Sequence, residues 1–429
     1  WALRRGRAAI FADTGLGKTG MQIAWADAVA RHTSGDVLIL APLAVAAQTV
    51  AEGVACGVDV TICRDAADVR PGLNVTNYDR LHRFDPARFS GVVLDESSCI
   101  KHHDAKTLRT LLDAFAACPF RFCATATPAP NDWTELGTHA EFLGVCTRTE
   151  MLSEFFCHDG GETQVWRLKG HARRAFWRWV SSWGAMVRRP SDLGYSDDGY
   201  ALPAARTTSH TVATDAATLR AGGVLFAQEA ATLMDRRNAR RGSIDARVTM
   251  CADLVNADPT EPWIVWCDLN AESEALTKAI RGAVEVRGSD DPDTKEERLR
   301  AFSEGRIRVL VTKPSIAGFG LNWQHCARVA FVGVTDSWEA YYQAVRRCWR
   351  FGQSREVRVH IFASEAEGSV VANLARKERD AAAMAESLSA ETREAVMAEV
   401  SGAVRTVNGY EARKAMRLPQ WIKSEAEAA

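Results

Sequence analysis

A short apolar run, Ala8 to Phe11, passes directly into Ala12-Asp13-Thr14-Gly15-Leu16-Gly17-Lys18-Thr19 and then into a helical pattern that includes Met21 to Arg31. No other feature of the chain constrains its fold as strongly. A strand, a glycine-bearing turn and a helix start, in that order, make a cradle whose backbone N–H groups point at phosphate oxygens. Gly15 and Gly17 let the backbone curl, because a residue without Cβ enters conformations closed to others. Lys18 is placed to reach β- and γ-phosphates, and the Thr19 hydroxyl to ligate Mg²⁺. Ala12 stands where the strict pattern has glycine. The bland alternative, a glycine turn that happens to precede Lys-Thr, does not explain the strand before it and the helix after it. Thr14, Gly15, Leu16, Gly17, Lys18 and Thr19 are therefore the candidate nucleotide-binding residues.

The pattern around this loop extends along the chain. Val37 to Ala41, Val58 to Ile62, Leu73 to Asn77, Gly91 to Leu94 and Phe120 to Ala124 read as short buried strands with helical stretches between several of them. A second alternating block holds Trp263 to Cys267, Val284 to Arg287, Ile307 to Thr312, Arg328 to Val332 and Val357 to Phe362. Alternating strands and helices imply parallel sheets covered on both faces. The expected fold class is α/β, with two P-loop-type lobes, a helical insert and a helical C-terminal tail. The expected boundaries are an N-terminal lobe over 1–205 that includes a helical, basic, Trp-rich insert at 148–191; a helical linker and start of lobe two over 206–250; a C-terminal lobe over 251–365; and a tail over 366–429. With 429 residues there is room for two or three domains of about 150 residues each.

Composition narrows the function classes. Apolar residues make up 47% and charged residues 25%, which excludes a disordered chain, a collagen and a disulfide miniprotein. No apolar run approaches the roughly 20 residues that span a bilayer, so no membrane partner is expected. Lys plus Arg number 53 against 54 Asp plus Glu, a net charge of −1. Any nucleic-acid contact must then come from a local patch. The 11 cysteines are scattered and form no Cys-x-x-Cys pair, which suits buried thiols in a reducing cytoplasm. The first residue is Trp1, and a segment upstream of it is expected.

Gly91 to Leu94 delivers Asp95-Glu96 at a strand end, where α/β sheets place their ligand chemistry. An Asp there can hold Mg²⁺ through water, and the adjacent Glu can polarise an attacking water. Taken alone, such a pair is as readily a solvated loop start or a helix cap. The phosphate loop upstream favours the catalytic reading. His102-His103 reads as a solvated pair, since no further ligands lie at zinc-like spacing.

Between Thr163 and Ser191 stand seven basic residues, Arg167, Lys169, Arg173, Arg174, Arg178, Arg188 and Arg189, and no acid. Trp166, Trp177, Trp179 and Trp183 are interleaved with them. Basic residues with interleaved aromatics suit a nucleic-acid backbone. Yet Phe176, Trp179, Val180, Trp183 and Val187 recur at helical spacing, so the tryptophans are expected in a core with the arginines facing solvent or DNA. Arg236, Arg237, Arg240 and Arg241 form a second basic patch.

Taken together, these motifs resemble one family. The loop with Ala12, then Asp95-Glu96-Ser97-Ser98 with Ile100-Lys101, then Thr125-Ala126-Thr127-Pro128 look like lobe one of superfamily-two DEAD/DEAH-box helicases. The Ile-Lys and the Pro128-to-Asn131 pattern are similar to the Swi/Snf-like branch. Gly318-Phe319-Gly320-Leu321-Asn322 resembles that branch's fifth motif. Gln343-Ala344-Val345-Arg346-Arg347-Cys348-Trp349-Arg350-Phe351-Gly352-Gln353 resembles its sixth. With Arg188-Arg189-Pro190, Leu202-Pro203 and Asp192-Leu193-Gly194-Tyr195, the set is most similar to compact phage and prophage helicase-like ATPases. The resemblance spans about residues 1 to 365. Ser97-Ser98 replaces the usual Ala-His or Ala-Asp, and the adenine-reading glutamine motif is expected upstream of Trp1.

The resemblance implies two RecA-like lobes that close on ATP and Mg²⁺ and move on nucleic acid, with DNA favoured. It implies catalytic roles for Lys18, Glu96, Arg347 and Arg350, the last two as arginine fingers on the γ-phosphate. It also implies nucleotide contacts from Gly320 and Gln343, and Mg²⁺ held by Thr19 and Asp95. Arg346, one residue off the motif register, is expected to tolerate alanine. The bland reading of the three arginines is the basic face of an amphipathic helix, with Arg347 and Arg350 at i,i+3. Two other functional readings stay open: a strand-separating DNA or RNA helicase, to whose Ser-Ala-Thr the Thr125-Ala126-Thr127 is similar, and a nucleotide-gated binding module without turnover.

Overall fold

A computed structural model describes residues 1–400 apart from 43–44, 102–104, 160–161, 213–240, 318–321, 334 and 336. It is an α/β chain with two parallel sheets flanked by helices, as the alternation predicts. The first sheet contains β1 (Arg7–Ala12), β2 (Asp36–Ala41), β3 (Val60–Ile62), β4 (Leu73–Asn77), β5 (Phe89–Asp95), β6 (Phe120–Ala124) and β9 (Gly184–Val187), in the order β3-β4-β2-β5-β6-β1-β9. These strands are buried on both faces, which is why they read as continuous apolar runs; Ala8, Ala9, Phe11, Val37 to Leu40 and Val92 to Leu94 have no exposed surface. The order β5-β6-β1 sets the C-terminal ends of three adjacent strands side by side.

The insert is only partly helical. After the Arg148–Phe155 helix the chain forms an antiparallel hairpin, β7 (Phe156–Asp159) and β8 (Glu162–Leu168), then the Arg173–Val180 helix, then β9. The last of these pairs with β1 and extends the first sheet. Phe176, Trp177, Val180 and Trp183 are buried in the lobe-one core, with Trp166 and Trp179 packed against it. Arg167, Arg173, Arg174 and Arg178 are exposed. Of the residues at helical spacing, Phe176 and Val180 lie on the buried face of the helix together with Trp177, while Trp183 and Val187 are buried beyond its end, and these basic residues lie outside the core.

The second sheet has the order β10-β15-β14-β11-β13-β12. Its strands are β10 (Ala205–Val212), β11 (Trp263–Cys267), β12 (Ala283–Glu285), β13 (Val309–Thr312), β14 (Arg328–Val332) and β15 (Val357–Ser364). The helical expectation for 206–250 is corrected at its start. β10 pairs in parallel with β15 over its full length, and such cross-strand partners are invisible in a local pattern. Arg236, Arg237 and Arg240 lie outside the described residues, as do His102 and His103.

A buried ion cluster braces this lobe. Arg247 donates to Glu272 Oε1 at 2.8 Å and lies 3.9 Å from Glu367, and none of the three is more than 2% exposed. Glu272 also accepts from the Asp268 and Leu269 backbone N–H groups at 3.0 Å. Gly333 makes room for it, since a Cβ there would come within 2.5 Å of the carboxylate. Glu272→Ala is expected to remove the shorter of the two carboxylate partners of the buried Arg247 and to cost about 3–5 kcal/mol. Glu274→Ala, on the exposed side of the same helix, is expected to be nearly neutral. Chemical-denaturation midpoints of the two variants check this, and equal midpoints would remove the brace.

The Gly368–Val400 helix leaves β15 and ties the lobes together. Leu374 packs in the lobe-two core, while Met384 and Leu388 enter the lobe-one core. The Thr392 hydroxyl accepts from the Met186 N–H at 3.1 Å on β9.

Candidate functional site

The loop between β1 and the Lys18–Thr33 helix is built on two left-handed glycines, Gly15 at φ 91° and Gly17 at φ 76°. Gly15 has a second reason to lack a side chain. A Cβ there would stand 2.8 Å from the Cβ of Phe351, which reaches over from the second lobe. Lys18 Nζ donates to the Ala12 carbonyl at 3.0 Å. Burial depresses its ammonium, against the pull of Glu96, Asp13 and Asp95. Thr19 occupies the first turn of the helix and is half-buried.

Asp95 ends β5 and is buried, accepting from Gln22 Nε2 at 2.6 Å. Burial, and then the adjacent Glu96, pushes its carboxyl up to about 7, against the Gln22 hydrogen bond and Lys18. Glu96 follows in a left-handed conformation, φ 50° and ψ 53°. For a non-glycine residue this costs roughly 1–3 kcal/mol, and such strain gathers at functional sites. Thr125, at the end of β6, donates its hydroxyl to Glu96 Oε2 at 3.4 Å and accepts from the Thr127 N–H at 3.1 Å. Ser97 meets the buried His139 Nε2 at 3.1 Å. Burial drops that imidazole to about 4, so it is neutral. Glu96 also borders a cavity of about 330 Å³ with Asn77, Tyr78, Ser98, Cys99 and Glu339.

The second lobe faces these residues through the Trp338–Val345 helix and the turns that follow it. Gln343 is buried and holds Arg347 twice, accepting Nε at its carbonyl at 3.1 Å and a guanidinium NH₂ at Oε1 at 3.0 Å. Burial lowers the Arg347 guanidinium to about 10, against the attraction of Glu96. Arg347 and Glu96, from different lobes, therefore feel each other's charge. Burial and Arg346 also lower Arg350, while Glu52 opposes them. Neither arginine is on a helix face. The helix ends at Val345, where the Cys348 and Trp349 N–H groups both turn back to the Val345 carbonyl.

Arg346 does not behave as the motif register suggests. It is 2% exposed and forms an ion pair with Asp13, inside the phosphate loop. The Tyr342 hydroxyl donates to the same carboxylate, 329 positions away in sequence. The guanidinium lies over the Tyr342 and Trp349 rings at 5.4 and 4.9 Å. Burial alone would raise Asp13; Arg346, Tyr342 and the Thr14 N–H outweigh it and hold the carboxyl below its ordinary value. The expectation that Arg346 is tolerant is therefore corrected. Arg346 caps the helix in αR geometry, its N–H on the Tyr342 carbonyl at 2.9 Å, so it stands one turn from Tyr342 on the face that meets lobe one. A second cross-lobe ion pair joins Lys101 to Glu339.

The structure thus sets Lys18 within the electrostatic reach of Asp95 and Glu96, and brings lobe two onto lobe one through Arg346 and Tyr342 at Asp13 and Glu339 at Lys101, while Gln343 holds Arg347 from within its own lobe. Gly320 lies outside the described residues. Asp13, Gln22 and Tyr342 were not singled out from sequence, and Arg346 was noted there only as a tolerant neighbour of the motif arginines. A signal existed for Asp13 alone, an acid within the phosphate loop. The donor set fits a Mg-nucleotide: a half-buried ammonium and a buried carboxyl, both shifted toward neutrality, are matched by phosphate and by a divalent cation. When bound, that cation would supply positive charge to the phosphates and to Asp95. Among the described residues no group of three or more His, Cys, Asp and Glu could hold a metal ion, and no helix is long and apolar enough to cross a membrane.

Comparison with known proteins bears on the second lobe. No curated protein matches the chain significantly. Residues 246–352 match the family described as the helicase conserved C-terminal domain, a range that takes in β11 to β14 and Gln343 to Gly352, so the second lobe is similar to that domain, which supports the superfamily-two reading.

Proposed function

We propose that this chain is a nucleic-acid-stimulated ATPase of the Swi/Snf-like type that couples Mg-ATP hydrolysis to movement on duplex DNA, as compact phage helicase-like ATPases are expected to. The observation that supports the reading is the cross-lobe contact of the 342–351 segment with the phosphate loop, Tyr342 and Arg346 at Asp13 and Phe351 over Gly15, with Lys101, five residues after Glu96, paired to Glu339. Lys18 and Thr19 grip the phosphates and Mg²⁺ with Asp95. Glu96 orients the attacking water, and Arg347 and Arg350 neutralise charge that develops on the γ-phosphate. Phosphoryl transfer needs such positioning more than covalent chemistry. The lobes are assigned to 1–205 and 251–365, with 206–250 as the linker and start of lobe two and 366–429 as a tail. The 11 cysteines are unpaired, which supports a reducing, cytoplasmic setting.

The DNA contact is assigned to the exposed arginines of the insert, in keeping with a net charge of −1. Backbone contacts release counterions, so stimulation is expected to fall steeply with salt and to vary little with sequence. The test is phosphate release against duplex DNA, single-stranded DNA and RNA at several salt concentrations. Arg173, Arg174 and Arg178 replaced together by Ala are expected to flatten the log–log salt slope by about 2–3, at roughly 0.9 per phosphate contact. Equal rates with and without every nucleic acid would remove the motor reading. Preference for RNA would favour the strand-separating alternative, and ATP binding without turnover the gated module.

A further inference from the structure

Two large aromatic side chains stand open to solvent at the mouth of the phosphate loop. Phe351 is 39% exposed and Tyr200 41%. Their rings stack on each other, with centroids 4.7 Å apart and planes 23° from parallel. The pair is held in place. The Phe351 Cβ is seated against Gly15, and its carbonyl accepts from the Gln324 amide. On the other side, the Tyr200 N–H donates to the Asp197 carbonyl at 2.8 Å. The segment after Tyr200 is pinned where Trp349 Nε1 donates to the Pro203 carbonyl at 2.7 Å and the Val357 N–H to the Ala204 carbonyl at 3.0 Å.

Burying both rings would have been favourable, and aromatic surface held rigidly in the open commonly marks a binding face. Its place beside Gly15 puts it next to whatever the loop grips. A nucleoside triphosphate held there by its phosphates carries one flat aromatic group, its base.

We propose that Tyr200 and Phe351 form the stacking platform for the base of the nucleotide whose phosphates the 13–19 loop holds. This rests on the nucleotide-binding reading above. Stacking uses the π-face that every base has, so the platform favours large purines over pyrimidines and separates ATP from GTP weakly. Because Phe351 belongs to lobe two and Gly15 to lobe one, the base is read only when the cleft is closed.

Phe351→Ala is a clean probe. It keeps the Cβ that packs on Gly15 and removes only the ring. The experiment is calorimetric titration of the full chain with Mg-ATP, Mg-GTP and Mg-tripolyphosphate, the last having phosphates and no base. Phe351→Ala and Tyr200→Ala are each expected to weaken ATP and GTP roughly ten-fold, within the range that base–aromatic stacking supplies. Tripolyphosphate affinity should stay within about two-fold, and Tyr200→Phe, which keeps the stack, should bind ATP like the parent. Unchanged ATP affinity in both alanine variants would overturn the platform, as would equal weakening of ATP and tripolyphosphate, which would mean loop packing. If the unaltered chain binds neither ATP nor tripolyphosphate, the nucleotide reading itself falls and takes the platform with it. If it binds both, and Lys18→Ala loses both, only the ring variants bear on the platform.

Discussion

Glu96→Gln is expected to leave Mg-ATP affinity nearly intact and to lower turnover by about 10²–10⁴-fold, the usual contribution of a positioned general base. The amide keeps the size and most of the hydrogen bonding of the carboxylate. It cannot take a proton from water. Glu96 is suited to this role by its place one residue beyond the buried Asp95, by the Thr125 hydroxyl on its Oε2 and by its left-handed backbone. Asp95→Asn is a different lesion. It removes charge at the expected cation site, so it should lower affinity for Mg-ATP along with turnover. Single-turnover hydrolysis and equilibrium binding for both variants separate the two roles. Near-normal hydrolysis in Glu96→Gln would sink the assignment.

The three arginines after Val345 should divide into two classes. Arg347→Ala and Arg350→Ala are expected to cut turnover by ~10³–10⁵, the range seen for arginine fingers, with a modest effect on nucleotide affinity. A guanidinium gains most where charge accumulates in the transition state, and it remains charged even when buried. Arg346→Ala acts through Asp13 instead. With the ion pair gone, an unneutralised carboxylate sits within the phosphate loop, next to incoming phosphates. A charge-assisted hydrogen bond contributes about 1.5–3 kcal/mol, so nucleotide binding should weaken roughly ten-fold or more. Arg346→Lys should recover part of the loss, because it restores the charge without the fork. Turnover and affinity for the four variants decide the matter. Three alike and mild effects would return the segment to a basic solvated surface.

What could be read from the residues alone was whatever local spacing encodes. Ala8 to Thr19 carry a strand, a turn and a helix start within twelve positions, and backbone sterics leave few ways to fold them. Strands buried on both faces declare themselves by unbroken apolar runs, so both sheets and the α/β class were legible. The Asp95-Glu96 pair was visible because it directly follows such a run. The spacing of Phe176 and Val180 likewise marked the core face of the Arg173–Val180 helix.

Only the tertiary structure decided what depends on distant partners. β9 and β10 are strands because β1 and β15 offer them open edges, and no local pattern records an available edge. The tail has no motif, yet Met384 and Leu388 complete the lobe-one core from the far end of the chain. Arg346, Arg347 and Arg350 look equivalent as a basic cluster. Their surroundings separate because Arg346, at the helix end, shares the face of Tyr342 and pairs with Asp13, whereas Arg347 folds back onto Gln343 in its own lobe. Direction after a helix end is set by what the chain packs against, and here that is a phosphate loop more than three hundred positions away, near the other end of the chain.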